Sequence, residues 1–260
     1  MDGEARSPQA SAQTGAPIPA GLTTSGVVPS FRPSIHGLHF ANRFPPGPTL
    51  RLGAFDPRVL GFGDASAGLC GGMALTARDL WAAGLRSPED TEPPANGSPR
   101  FRSLVRRQVE SLDWLRVPLR YLDLQALRPD PPAGLGSLLR REPPRVLALR
   151  REWPRIRAEL AAGRPAVVGL IRAAGLSPWT LTQNHQVLAW GWEESPASIT
   201  LRVYDPNYPG RDDVTLAIMI ADVPGAPWRD RVHLVQSTGE TLLGWFLQPY
   251  PPPRTVGAWR

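Results

Sequence analysis

The chain has 260 residues, with 31 Pro, 25 Gly and one Cys, and its 29 basic residues against 23 acidic ones give a formal charge of +6. A single cysteine excludes an internal disulfide, a four-cysteine zinc site and a CxxC redox pair. Every basic residue is Arg, so a P-loop nucleotide site and a Schiff base on the chain's own lysine are excluded as well.

Residues 1–30 are mostly Ala, Ser, Thr, Gly and Pro, a composition that does not offset ordering entropy, and they are expected to form a disordered tail. The first residues are acidic and no apolar h-region follows, so no secretory signal is expected. No run approaches the ~20 apolar residues of a membrane span, and a cytoplasmic chain without membrane contact is the expectation. Residues 31–250 are expected to form a single domain, followed by a Pro-rich C-terminal tail at 251–260.

Between Phe31 and Asp64, Pro and Gly break the pattern, leaving short extended pieces around Ile35–Phe40 and Leu50–Phe55. The segment GLCGGMALTARDLWAAG then places Met73, Ala74, Ala77, Leu80 and Trp81 at helical spacing, with Gly84 where a left-handed cap belongs. Further helices are predicted over Arg100–Leu115 and Trp153–Ala162, the latter ending at Gly163. After Gly163 the period changes. Six short apolar or alternating runs, at 165–171, 184–192, 198–205, 213–220, 231–237 and 242–248, are separated by Pro, Gly or Asp and read as strands. Helices followed by strands indicate an α+β fold.

Three residues are the candidates to carry chemistry. Cys70 opens a helix, where unsatisfied N–H groups and the helix dipole favour a thiolate. His185 lies near a strand start and is placed to act as base and acid. Asp205 ends the next strand, so antiparallel pairing brings its carboxylate toward the imidazole as an orienter; Asn207 competes for that role. Gly68, Gly71 and Gly72 are expected to leave backbone amides open, with the Cys70 N–H able to hold an oxyanion. Trp179, Trp190 and Trp192 bracket His185 as candidate cleft walls. Trp81, Trp114 and Trp153 are expected as core contacts. The His36–His39 pair lacks a helical HExxH setting, so no metal site is assigned. Residues 100–164 hold 15 Arg and 7 acidic residues, +8 against −2 for the remainder. This stretch fits no nucleic-acid module and reads as solvated helix faces, with steering of an acidic partner as the rival reading.

GLCGGMA around Cys70, NHQVLAWGW around His185 and VYDPN around Asp205 resemble the papain-like cysteine peptidase superfamily, nearest to its double-glycine leader peptidases. Bacterial proteins with GLCGGM, an RQ-containing helix and NHQVLAYG-like segments are also similar, Arg107-Gln108 matching the RQ. The resemblance implies a papain-like α+β fold, with a helical part led by the Cys70 helix packed on a C-terminal antiparallel sheet. It further implies a cysteine-dependent acyl or amide hydrolase, a peptidase, with a Cys70–His185–Asp205 triad, a peptide or amide substrate and no cofactor. A catalytically inactive binding scaffold and a transglutaminase-like acyl transferase are the alternatives. The family commonly supplies an oxyanion-stabilising Gln six residues before the Cys, where this chain has Asp64. A carboxylate would repel a developing oxyanion, so Gln108 and Gln186 become the candidate neutral donors.

Overall fold

The computed structural model describes residues 22–45, 68–114, 116–126, 142–175, 182–251 and 255–260. In chain order these form strand β1 (Thr24–Val27), helices α1 (Pro33–His36), α2 (Cys70–Ala82), α3 (Pro99–Ser111), α4 (Arg116–Ala126), α5 (Pro144–Leu147) and α6 (Trp153–Ala161), and then strands β2 (Ala166–Ile171), β3 (His185–Ser195), β4 (Ser198–Tyr204), β5 (Thr215–Ile220), β6 (Val232–Gln236) and β7 (Gly244–Leu247). The result is a mixed α+β architecture on one antiparallel sheet, in the order β6-β5-β4-β3-β2-β7.

All six strands predicted after Gly163 are present. β2 is buried at every residue, whereas β4 and β5 alternate, which marks β2 as interior and β4 and β5 as carrying a more open face. β3 is the longest strand and is shared along one side: His185–Ala189 pair with β2, and Gly191–Glu194 pair with β1. The register on β4 shifts between Ala189 and Gly191, a bulge that bends the strand where its partner changes.

α2 is buried from Gly71 to Leu80. Ala74, Leu75 and Ala77 join the main core over the sheet, while Met73 and Leu80 join a second core with Leu38, Phe101, Leu104 and Trp259. A helix enclosed on both sides needs bare positions where another backbone crosses. A Cβ on Gly72 would lie 2.3 Å from the Leu104 carbonyl oxygen of α3, so glycine there sets the closeness of the two helices.

Several boundaries differ from the sequence expectation. β1 falls inside the segment expected to be a tail. It is held by main-chain pairing and by Gly26, whose missing Cβ leaves room for the Trp192 ring, neither of which composition reveals. The piece around Ile35–Phe40 is extended only in part, because α1 occupies its start with Pro33 in the first turn. The Leu50–Phe55 piece lies outside the described residues. α4, α5 and a π-helical turn over Ala148–Glu152 were hidden among prolines. Pro154, in the first turn of α6, has no N–H and would crowd the carbonyl four residues back, and the wider turn before it relieves that conflict. In the segment expected to be a C-terminal tail, residues 255–260 are packed: Gly257–Trp259 form a 3-10 turn, Trp259 is buried and its Nε1–H donates to Ser103 Oγ. Trp153 is buried and Trp81 meets Phe31 edge-on, but Trp114 is 91% exposed in a left-handed turn at φ 57°, so it is not a core contact. Among the described residues, no helix is long and apolar enough to cross a membrane.

Candidate active site

Cys70 is the first residue of α2 and keeps partial solvent exposure. Its approach is fixed by Asn42, whose Oδ1 accepts from the Leu69 N–H at 2.6 Å and whose amide occupies the space beside Gly68, at φ +90°. The same side chain donates to Asn207 Oδ1, and the Asn42 N–H donates to the Pro206 carbonyl. One asparagine therefore ties the residues entering Cys70 to the loop leaving Asp205.

His185 begins β3, and its Nε2 lies 2.6 Å from Asp205 Oδ1. Asp205 follows β4 and is fully buried. With Nε2 committed, the nitrogen that remains to face the Cys70 sulfur is Nδ1, and ring and sulfur interact electrostatically. Burial alone would lower the imidazole pKa, but the Asp205 carboxylate and the Cys70 sulfur reverse this and raise it to about 9. Burial likewise pushes the Cys70 thiol up; the charged His185 ring and the N–H groups of Gln186 and Gly71 outweigh it and bring the thiol below its ordinary value. Burial would raise Asp205, yet His185, the Asn207 N–H and Arg172 hold its carboxyl below the usual range. The three groups together favour a thiolate, an imidazolium and a carboxylate.

No family model, curated protein or solved structure matches this chain. What the site can do is therefore argued from its own geometry.

The structure brings Cys70, His185 and Asp205 together and gives the other candidates different places. Asn207 does not orient the ring; its N–H donates to Asp205 Oδ1 at 2.9 Å and so supports the carboxylate instead. The amides at the start of α2 are not all open: Met73 N–H closes onto the Leu69 carbonyl, Gly72 N–H donates to Gln108 Oε1 at 2.8 Å, and Gly71 N–H meets the sulfur. Gln186 is 3% exposed, and its Oε1 sits without a partner where a Cβ on Gly71 would intrude. Asp64 and Trp179 lie outside the described residues. Trp190 and Trp192 are not cleft walls. Trp190 is 1% exposed within the main core, with Arg32 over its ring, and Trp192 packs on that core against Gly26. An interior strand is covered on both faces, so proximity to His185 in sequence does not place its rings at the site. His36 and His39 turn to local main-chain groups, Arg32 N–H and the Ser34 carbonyl. Among the described residues no group of three or more His, Cys, Asp or Glu is placed to hold a metal.

The Arg-rich stretch is largely matched by carboxylates. Arg107 pairs with Asp79 at 2.9 Å, Arg120 with Glu152 at 3.1 Å, Arg157 with Glu194 at 3.3 Å and Arg164 with Glu159 at 2.8 Å. Of these carboxylates only Asp79 and Glu194 lie outside residues 100–164, so they alone draw on that stretch's excess charge.

Sequence reasoning missed a set of supporting polar residues. Tyr121 of α4 donates its hydroxyl proton to the His185 carbonyl at 2.8 Å and accepts from Gln248 Nε2 at 3.1 Å. Asn184 Oδ1 accepts from the Arg172 N–H. Gln236 reaches Asp205 from β6. The one local signal was Gln236 itself, a polar residue at an inward position of VHLVQ, where the strand alternation calls for an apolar one.

Proposed function

We propose that this chain is a papain-like cysteine hydrolase that cleaves an amide or ester bond of a peptide-type substrate. The observation that carries the reading is His185 Nε2 at 2.6 Å from buried Asp205, with the Cys70 sulfur within electrostatic reach of the same ring. That arrangement is the activated-nucleophile pattern, with thiol, base and orienter brought together.

In this reading the Cys70 thiolate attacks the acyl carbon, forming a C–S bond as the carbonyl π electrons move to oxygen. The intermediate collapses, the bond to the leaving amine or alcohol breaks, and the His185 imidazolium protonates that group. Neutral His185 then takes a proton from water as its oxygen attacks the thioester. Collapse of this second intermediate releases the carboxylic acid and returns the sulfur as thiolate beside imidazolium. Asp205 keeps one nitrogen of the ring occupied throughout, so the other faces sulfur or water. With the Gly71, Gly72 and Met73 amides engaged, the developing oxyanion in this reading falls to the Cys70 N–H at the start of α2.

Iodoacetamide labelling of the full chain near pH 6 tests this reading against the Cys70→Ala and His185→Ala variants. The expected outcome is labelling at Cys70 roughly tenfold or more faster than a free cysteine, since each unit of pKa depression is worth tenfold in thiolate. Labelling must vanish in Cys70→Ala and slow sharply in His185→Ala. A Cys70 no faster than free cysteine, or indifferent to His185, makes the fold a scaffold without thiol chemistry.

A further inference from the structure

Asp205 presents two oxygens to two different neighbourhoods. Oδ1 accepts from the His185 ring and the Asn207 N–H. Oδ2 faces Gln236, whose Nε2–H donates to it at 3.2 Å, and the Arg172 guanidinium, whose Nη2 stands off at 3.6 Å. Arg172 Nη2 instead donates to Gln236 Oε1 at 2.9 Å. A guanidinium only donates and a carboxylate only accepts, so these partners permit one orientation of the Gln236 carboxamide: oxygen to Arg172, nitrogen to Asp205. Thr238 Oγ1 accepts from the same nitrogen at 2.8 Å and fixes that orientation from the side.

A cation and an anion this close and this buried attract strongly and ordinarily close to a forked, doubly hydrogen-bonded pair. Here the Arg172 side chain is 13% exposed and that of Asp205 0%, yet the gap stays open and Arg172 Nε is sealed from solvent without a partner. The remaining groups do not explain the stand-off. Tyr204 and Tyr208 also lie within electrostatic range of Asp205, and Glu240, which attracts Arg172, is engaged by Tyr208 and Thr238. On the far side of the ring stand Cys70 and, beneath the His185 carbonyl, Tyr121.

We propose that Gln236 is a positioning residue, a neutral spacer that holds Arg172 off Asp205 so that the carboxylate's charge stays directed at His185. The amide satisfies both ions by its dipole while keeping them from closing to a directly hydrogen-bonded pair. Without it, Arg172 closes on Oδ2, the carboxylate is neutralised from behind, and the imidazolium loses part of its support. The proposal rests on the thiolate–imidazolium reading of the site and adds a residue from outside it.

The experiment is the pH profile of iodoacetamide labelling at Cys70 in the full chain, for Gln236→Met, Arg172→Met and the double variant, Met replacing each side chain with unbranched apolar bulk. Gln236→Met is expected to label roughly tenfold more slowly near pH 6, with its thiolate limb moved up by about one unit. Arg172→Met is expected to match the parent within about twofold, and the double variant to recover the parent rate, because the spacer is needed only while the arginine is present. A general loss of packing would instead make the double variant as slow as the slower single one, and that result overturns the proposal. So does a Gln236→Met profile that superimposes on the parent. If Gln236→Met does not fold, as judged by circular dichroism, Arg172→Met decides alone: a rate within twofold of the parent supports the spacer, and a drop beyond tenfold overturns it. Failure of the underlying reading is distinct, since the parent itself would then show no Cys70 activation and no dependence on His185.

Discussion

Two buried aspartates in this fold have opposite characters. Asp205 is held below the usual carboxyl range, although burial works against it, by His185, the Asn207 N–H and Arg172. Asp79, on α2 one turn before the helix ends, is pushed up by burial, and the hydroxyl of Tyr250 and the guanidinium of Arg107 do not fully offset that push, with Glu110 adding to it. Both carboxylates have an arginine near them, but Arg107 bonds directly to Asp79 at 2.9 Å while Arg172 is kept 3.6 Å from Asp205. Asp79 serves as an anchor: it gathers α3 through Arg107 and the segment after β7 through Tyr250, over whose ring Arg78 lies at 3.7 Å. Asp205 serves one imidazole. A direct ion pair consolidates a packing contact, whereas a carboxylate meant to support another group's charge must be shielded from a competing cation.

The contrast has measurable edges. Asp205→Asn has the largest expected effect, a fall of about 100-fold in labelling near pH 6, at the lower end of what a positioned acid–base group supplies. Labelling within twofold of the parent would show that His185 does not draw on Asp205. Next comes the alkaline limb. The imidazole is raised to about 9, so hydrolysis of a thiol-protease ester substrate should hold across neutral pH and drop as pH passes about 9, where the ring loses the proton it gives to the leaving group. The same group's contribution to stability is complete below its unfolded pKa, about 6.5, and is lost as pH rises through about 9. Asp205 works with the opposite sign: its depressed pKa contributes stability above the unfolded value, lost as pH falls through the folded one. A profile that keeps rising through pH 10 would count against imidazolium as the acid. The smallest effect on chemistry is expected from Asp79→Ala. It removes the acceptor shared by Arg107 and Tyr250, and should cost about 3 kcal/mol in urea unfolding while labelling stays within about twofold. A large loss of labelling in a folded variant would erase the distinction between the two aspartates.

The parts of this fold that could be read in the sequence are those whose signal is local. The strands from β2 to β7 announce themselves as apolar runs between Pro, Gly and Asp, and the left-handed glycines at 84 and 163 mark the ends of α2 and α6 at φ +68° and +73°. Cys70, His185 and Asp205 were legible because each sits at an element terminus, where helix and strand geometry say which way a side chain is offered. β1 was not, since its stabilisation lies in main-chain bonds to residues more than 160 positions away. Arg172 and Asn42 were missed for the same reason: a polar contact between distant segments leaves no period behind. Trp190 and Trp192 misled in the opposite direction. Their nearness to His185 along β3 was real, but the bulge and the cover of the sheet send both rings elsewhere.

The division of one side of β3 between β2 and β1 works as a proofreading device. A slip of β3 by a single residue would exchange His185 for Gln186 at the position facing Asp205, replacing a titratable ring by an amide, because neighbouring residues on a strand point to opposite faces. Pairing Leu170 with His185 checks the alignment at one end, and pairing Val27 with Gly191 checks it again beyond the bulge. An error that satisfied one partner would have to violate the other, so the N-terminal strand guards the identity of the residue presented to the thiol from the opposite end of the strand.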